Sequence, residues 1–101
     1  MRILAIGAHP DDLEIFAYGT LAVWAAMGAR LVLAVATDGA RGGTLPPGEL
    51  ARLRASETTA ALAPLGQGAP RMLGFADGAL RADAALETAL AALIADATPD
   101  L

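Results

Sequence analysis

Cysteine and lysine are both missing from the 101 residues. Without cysteine the chain forms no disulfide and offers a metal no thiolate. Aromatic residues make up only 4%, and alanine inflates an apolar content of 55%, so the core is packed from small side chains that each remove little area from water. No apolar run is long enough to span a bilayer. The stretch after Met1-Arg2 is too short for a secretory signal and leads directly into His9-Pro10-Asp11-Asp12, which makes a cytoplasmic protein the expectation. Positive charge is scarce and scattered: seven arginines stand against eleven acidic residues, for a net charge of −4. Nucleic acid is therefore excluded as an expected partner. The length allows one domain at most.

What the chain does contain is an alternation of apolar strands and amphipathic stretches. Arg2 to Ala8 reads as a buried parallel strand. His9-Pro10-Asp11-Asp12 ends it, with Pro10 biasing His9 toward an extended backbone. A helix starting at Gly19-Thr20, or a few residues earlier, carries Leu21, Trp24, Ala25 and Met27 at helical spacing and closes at Gly28. Leu31 to Ala36 is the second strand, completing a βαβ unit with a right-handed crossover. The glycines and prolines of Thr37 to Gly48 predict a loop. Glu49 to Leu65 reads as a second helix with Leu50, Leu53, Ala61, Leu62 and Leu65 on one face. Arg71-Met72-Leu73 is a short third strand, and Gly74 to Leu80 a further loop. Asp83 is placed to cap a third helix running to about Ala95, with Leu86, Leu90, Leu93 and Ile94 as its buried stripe. Pro99-Asp100-Leu101 reads as the approach to a fourth strand. The expected fold is α/β: a Rossmann-like open parallel sheet with helices on both faces.

In such sheets ligands gather beyond the carboxyl ends of the strands. His9, the sole histidine, falls on that edge with Asp11, Asp12, Asp38, Arg41 and Asp77. His9 and Asp12 suit one zinc ion, leaving Asp11 as a carboxylate free to accept a proton. The competing reading makes Asp11 or Asp12 a helix cap and His9 a solvated turn residue, and spacing alone favours it. Two ligands also leave a catalytic zinc one protein ligand short. Asp38 and Asp77 lie on the right edge to supply it, without a spacing argument for either. The loop Asp38 to Gly43 could cradle an anion through its backbone N–H groups or be a plain connection. Arg54 and Glu57 form either a surface i, i+3 pair or, for Arg54, a substrate contact. Neither a G-x-G-x-x-G after the first strand nor a G-x-x-x-x-G-K-[ST] is present, so nucleotide binding has little support.

The opening Ala8-His9-Pro10-Asp11-Asp12-Leu13-Glu14-Ile15, with Gly19-Thr20-Leu21-Ala22, resembles the LmbE/PIG-L family of zinc-dependent N-acetylglucosaminyl deacetylases. The resemblance continues in order through Thr37-Asp38-Gly39 to Gly42, Arg54-Ala55-Ser56-Glu57, Leu65-Gly66, Leu73-Gly74-Phe75 with Asp77-Gly78, and Pro99-Asp100-Leu101. It implies zinc bound by His9 and Asp12, Asp11 as general base, and Arg54 and Asp77 in contact with the sugar. It further implies hydrolysis of the N-acetyl group of an N-acetylated sugar conjugate, releasing acetate and a free amine. Tyr18 stands where many members have glycine. The family's third zinc ligand is a histidine downstream of the fourth strand, so residues 1–101 are expected to form the N-terminal part of a single deacetylase domain and to turn over little by themselves. A non-catalytic Rossmann-like module for a sugar or anion is the alternative. A homo-oligomer is compatible with either.

Overall fold

The computed structural model describes all of residues 1–101. Strand β1 (Arg2–Gly7) leads into a π-helical turn (Leu13–Ala17) that runs on as helix α1 (Tyr18–Ala26). Strand β2 (Arg30–Thr37) follows, then helix α2 (Pro47–Leu62) with a closing 3₁₀ turn (Ala63–Leu65), strand β3 (Arg71–Phe75) and helix α3 (Ala84–Ala97). The three strands are parallel in the order β1-β2-β3, with Ile3 opposite Leu31 and Gly7 opposite Val35.

Alternation along the strands decides which residues meet. Ile3, Leu31 and Leu33 point to one face and form a core with Leu13, Leu21, Leu62 and Leu65 from the first two helical segments. Both crossovers step the same way across the sheet, so right-handedness puts α1 and α2 on this one side. Helix α3 contacts β1, and its buried Leu93 and Ala97 lie outside that core. It covers the opposite face on its way back.

The return brings Leu101 to the free side of β1. Leu4 N–H donates to the Leu101 carbonyl at 2.9 Å, and Leu101 N–H donates to the Arg2 carbonyl at 3.2 Å. The sheet thus grows toward β3 on one side of β1 and toward Leu101 on the other. The carboxyl end of β1 lies where the connections diverge, the usual ligand crevice of such sheets. His9 is two residues beyond it.

Several local expectations are corrected. Helix α1 starts at Tyr18, next to the expected Gly19-Thr20, but a π-helical turn precedes it from Leu13, which is only 5% exposed and enters the core directly after the turn. Pro47 and Gly48 belong to α2 and not to the loop, since a proline in the first turn needs no N–H partner and has its φ preset. β3 continues to Phe75 through its pairing with Thr37. The buried line of α2 is Leu50, Thr58 and Leu62, while Leu53 and Ala61 are exposed. Met27 and Ile94 are also exposed, Ile94 because the buried edge of α3 is the i, i+4 pair Leu93 and Ala97.

Asp83 caps α3 as expected, accepting from Leu86 N–H at 3.1 Å. Replacing it with alanine strips the first turn of that acceptor. The expected cost is about 1 kcal/mol, read from the shift in urea midpoint. An unchanged midpoint would mean that α3 is held by its packing alone.

Candidate metal and catalytic site

β1 ends at Gly7, where the chain turns so sharply that a Cβ would stand 3.1 Å from Asp12 Cβ. The turn is closed from within. Asp12 Oδ2 accepts from Ala8 N–H at 2.9 Å and from His9 N–H at 2.8 Å. Asp12 occupies the position before the helical turn but makes no capping bond to it. The capping reading of Asp12 is therefore replaced by a carboxylate that folds backward and fixes the backbone of His9.

Asp11 is directed elsewhere. Its backbone sits at φ +103°, a region that residues with side chains rarely enter. Such a conformation costs on the order of 1–3 kcal/mol and persists only where the surroundings impose it. Here Asp11 N–H donates to Thr58 Oγ1 at 3.1 Å, the Asp11 carbonyl accepts from Ile15 N–H at 2.9 Å, and Asp11 Oδ2 accepts from Arg54 Nη2 at 3.1 Å. The Asp11 side chain remains 51% exposed. Successive aspartates are thereby sent to two different sides of one turn.

Arg54 is the hub of the second side. Beyond its bond to Asp11 it donates to the Pro10 carbonyl at 2.7 Å and to the Gly39 carbonyl at 3.0 Å. The pair with Glu57 allowed by sequence spacing does not form; the partner of Arg54 is Asp11. The glycine loop after β2 turns its Ala40 and Arg41 N–H groups to the carboxylates of Asp38 and Asp77, and its Gly39 carbonyl to Arg54. It wraps a cation: the Gly39 carbonyl accepts from the guanidinium, and a Cβ on Gly42 would lie 2.2 Å from Arg54 Nη1.

The third contributor is the loop after β3. Asp38 Oδ1 accepts from Ala40 N–H at 3.0 Å and from Asp77 N–H at 3.1 Å, tying the two loops together. Asp77 is thus held with Oδ1 3.1 Å from His9 Nε2 and Oδ2 3.2 Å from Arg41 N–H. The other imidazole nitrogen, His9 Nδ1, is 3.8 Å from Asp12 Oδ2.

Ligands of one zinc ion each lie about 2.0–2.2 Å from it, so two of them can be some 3–4 Å apart. His9 Nδ1 and the Asp12 carboxylate meet that spacing, and Asp77 on Nε2 is the kind of partner that fixes the tautomer and orientation of a ligating imidazole. The donor types and their placement suit zinc; the number does not, because no group of three His, Asp or Glu side chains converges as a metal site. Asp38 is turned to the loops, where its Oδ1 accepts from the Ala40 and Asp77 N–H groups.

A cavity of about 360 Å³ opens on the Asp11 side, between the turn and α2, lined by Pro10, Asp11, Glu14, Arg54, Glu57 and Thr58 among others. His9 and Asp12 are not part of its wall. Sequence reading had no means of finding Glu14 and Thr58. They lie 44 residues apart, and the Thr58 hydroxyl donates to Glu14 Oε1 at 2.5 Å.

The chain is similar in sequence and fold to known proteins. A 1D-myo-inositol 2-acetamido-2-deoxy-alpha-D-glucopyranoside deacetylase of Kineococcus radiotolerans is 41% identical over 85 residues, covering 76% of this chain and 23% of that protein. The N,N'-diacetylchitobiose deacetylase of Pyrococcus horikoshii superposes with a TM-score of 0.90 at 30% identity, over 96% of this chain and 38% of that one. The 4-carboxy-2-hydroxymuconate hydratase of Pseudomonas putida KT2440 superposes with a TM-score of 0.86 at 25% identity, over 98% of this chain and 45% of that one. The chain therefore spans about a quarter of the curated relative's length and less than half of either structural neighbour. No helix is long and apolar enough to cross a membrane. The family model for GlcNAc-PI de-N-acetylase (PIG-L) matches residues 4–101, from within β1 through the last residue that pairs with it, and the chain belongs to that family.

Proposed function

We propose that residues 1–101 form the N-terminal part of a zinc-dependent N-deacetylase that hydrolyses the N-acetyl group of an N-acetylglucosamine-type conjugate. The observation that supports this best is the divergence of the two aspartates. Asp12 is turned to His9 within zinc-ligand spacing, and Asp11 is turned to the cavity with its carboxylate half exposed. A pair of metal ligands and a separate base suit metal-assisted hydrolysis of an unactivated amide.

His9 and Asp12 would hold the zinc, together with a ligand from outside this chain. Bound there, zinc supplies polarisation of the amide carbonyl and a more acidic water. Asp11 accepts the proton of the attacking water. The carbon–nitrogen bond then breaks, the proton passes to the departing nitrogen, and acetate and a free amine leave. Asp77 keeps the His9 ring in place, and Arg54 and Asp77 are the proposed sugar contacts. Of the five N–H donors of a guanidinium, Arg54 spends three on Gly39, Pro10 and Asp11, leaving two for a hydroxyl in the cavity.

Zinc titration tests the metal assignment. Asp12→Ala removes one proposed ligand and also frees the two N–H groups that hold His9. Zinc affinity is expected to fall at least 10–100-fold, the loss typical of disturbing even an outer-shell partner. Equal affinity in the two proteins would refute the metal reading and leave the chain as a non-catalytic sugar- or anion-binding module.

A further inference from the structure

We propose that Thr58, oriented by Glu14, is a positioning residue for Asp11; the inference rests on Asp11 acting as the general base. A helical first turn often satisfies its leading N–H by a glutamate three residues on, which reaches back directly. Asp11 and Glu14 have that spacing, yet the direct bond is not made. A hydroxyl from α2 is interposed: Asp11 N–H donates to Thr58 Oγ1, and Thr58 Oγ1 donates to Glu14 Oε1. A threonine hydroxyl has one hydrogen and two lone pairs. With the hydrogen committed to Glu14, a lone pair is left for Asp11 N–H, so Glu14 sets the direction in which Thr58 can accept.

The detour ties the backbone of Asp11 to α2. Arg54 and Thr58 are four residues apart on that helix, hence on one face in successive turns. One holds the Asp11 carboxylate and the other its N–H, across a residue at φ +103°. The arrangement also carries a stability penalty that packing alone would not select. Glu14 Oε2 is buried without any hydrogen-bond partner, and a half-satisfied buried carboxyl group destabilises a fold relative to an apolar side chain of the same shape. A group kept at that expense, and bonded only to the hydroxyl that holds Asp11, is explained by the geometry it imposes on Asp11.

The test uses Thr58→Val, Thr58→Ser and Glu14→Met in the intact protein, with an N-acetylglucosamine glycoside as substrate. Thr58→Val is expected to lower kcat on the order of 10²-fold, the effect of a misplaced reacting group, with KM unchanged, and Thr58→Ser to restore it. Glu14→Met should lower kcat while leaving Tm equal or raised. The HN–Hα coupling of Asp11, which reports its φ, should change in Thr58→Val and return in Thr58→Ser. An unchanged coupling in Thr58→Val overturns the proposal, as does a loss of kcat that merely follows a loss of Tm. Asp11→Asn separates the two claims: if it keeps its kcat, the base assignment fails, while the coupling still decides whether Thr58 positions Asp11.

Discussion

Asp11→Asn is expected to reduce kcat by about 10²–10⁴-fold, the usual contribution of a positioned general base, while leaving zinc affinity and Tm close to the parent values. The substitution is unusually clean at this position. Asparagine tolerates positive φ better than most residues, so the backbone at +103° gains no new strain. Its side-chain oxygen can still accept from Arg54 Nη2, and its N–H still donates to Thr58 Oγ1. His9 and Asp12 are held by bonds in which the Asp11 side chain takes no part. The capacity to take a proton is lost, together with the charge that pairs with Arg54, a half-exposed pair worth about 0–1 kcal/mol. Single-turnover kinetics of acetate release, with zinc occupancy measured in parallel, would check it. A variant that binds zinc and retains most of its rate would assign the base elsewhere.

The contrast with Asp12→Ala follows from the different chemistry proposed for two adjacent residues of one type. Sequence spacing placed His9, Asp11 and Asp12 beyond a strand end but could not tell ligand from cap, since both uses need a carboxylate near a turn. Backbone direction separates the two side chains and removes the cap reading of Asp12. Gly7 leaves room for Asp12 to fold back on Ala8 and His9, and the positive φ of Asp11 swings its carboxylate to the opposite side. The resemblance to the deacetylases implies a ligand at Asp12 and a base at Asp11.

Other features were legible in proportion to how local they are. The Asp83 cap depends on residues three apart and was read directly. The strands were read from apolar runs, with β3 two residues short because its last pairing is with Thr37 of another strand. The buried face of α2 departs from its apolar periodicity because Thr58 is buried in place of Leu53 and Ala61, for a reason that exists only in three dimensions: its hydroxyl serves Asp11 and Glu14. Likewise Glu57 is the near neighbour of Arg54 in sequence, but Asp11, 43 residues away, is its partner in the fold. Side-chain chemistry between elements follows the rotational phase of the helix, and periodicity fixes that phase only to within a residue or two.

The glycine loop gives the second large effect, because it encloses the Arg54 guanidinium. Arg54→Ala is expected to destabilise the chain by about 2–5 kcal/mol: it removes charge-assisted bonds and leaves part-buried acceptors at Pro10 and Gly39 without a donor. Gly42→Ala should reach a similar end by another route. Its Cβ would stand 2.2 Å from Arg54 Nη1. The tip of a free arginine would swing aside at little cost, but this one is pinned by three bonds, and moving it forfeits them. The two substitutions therefore remove the same interactions and must not add. Once Arg54 is alanine, the added methyl meets nothing closer than the Gly39 carbonyl at 3.5 Å. The double variant should match Arg54→Ala to within about 0.5 kcal/mol, as measured by urea denaturation. Strict additivity would show that Gly42 is needed for the loop's own backbone and not for the cation that the loop encloses.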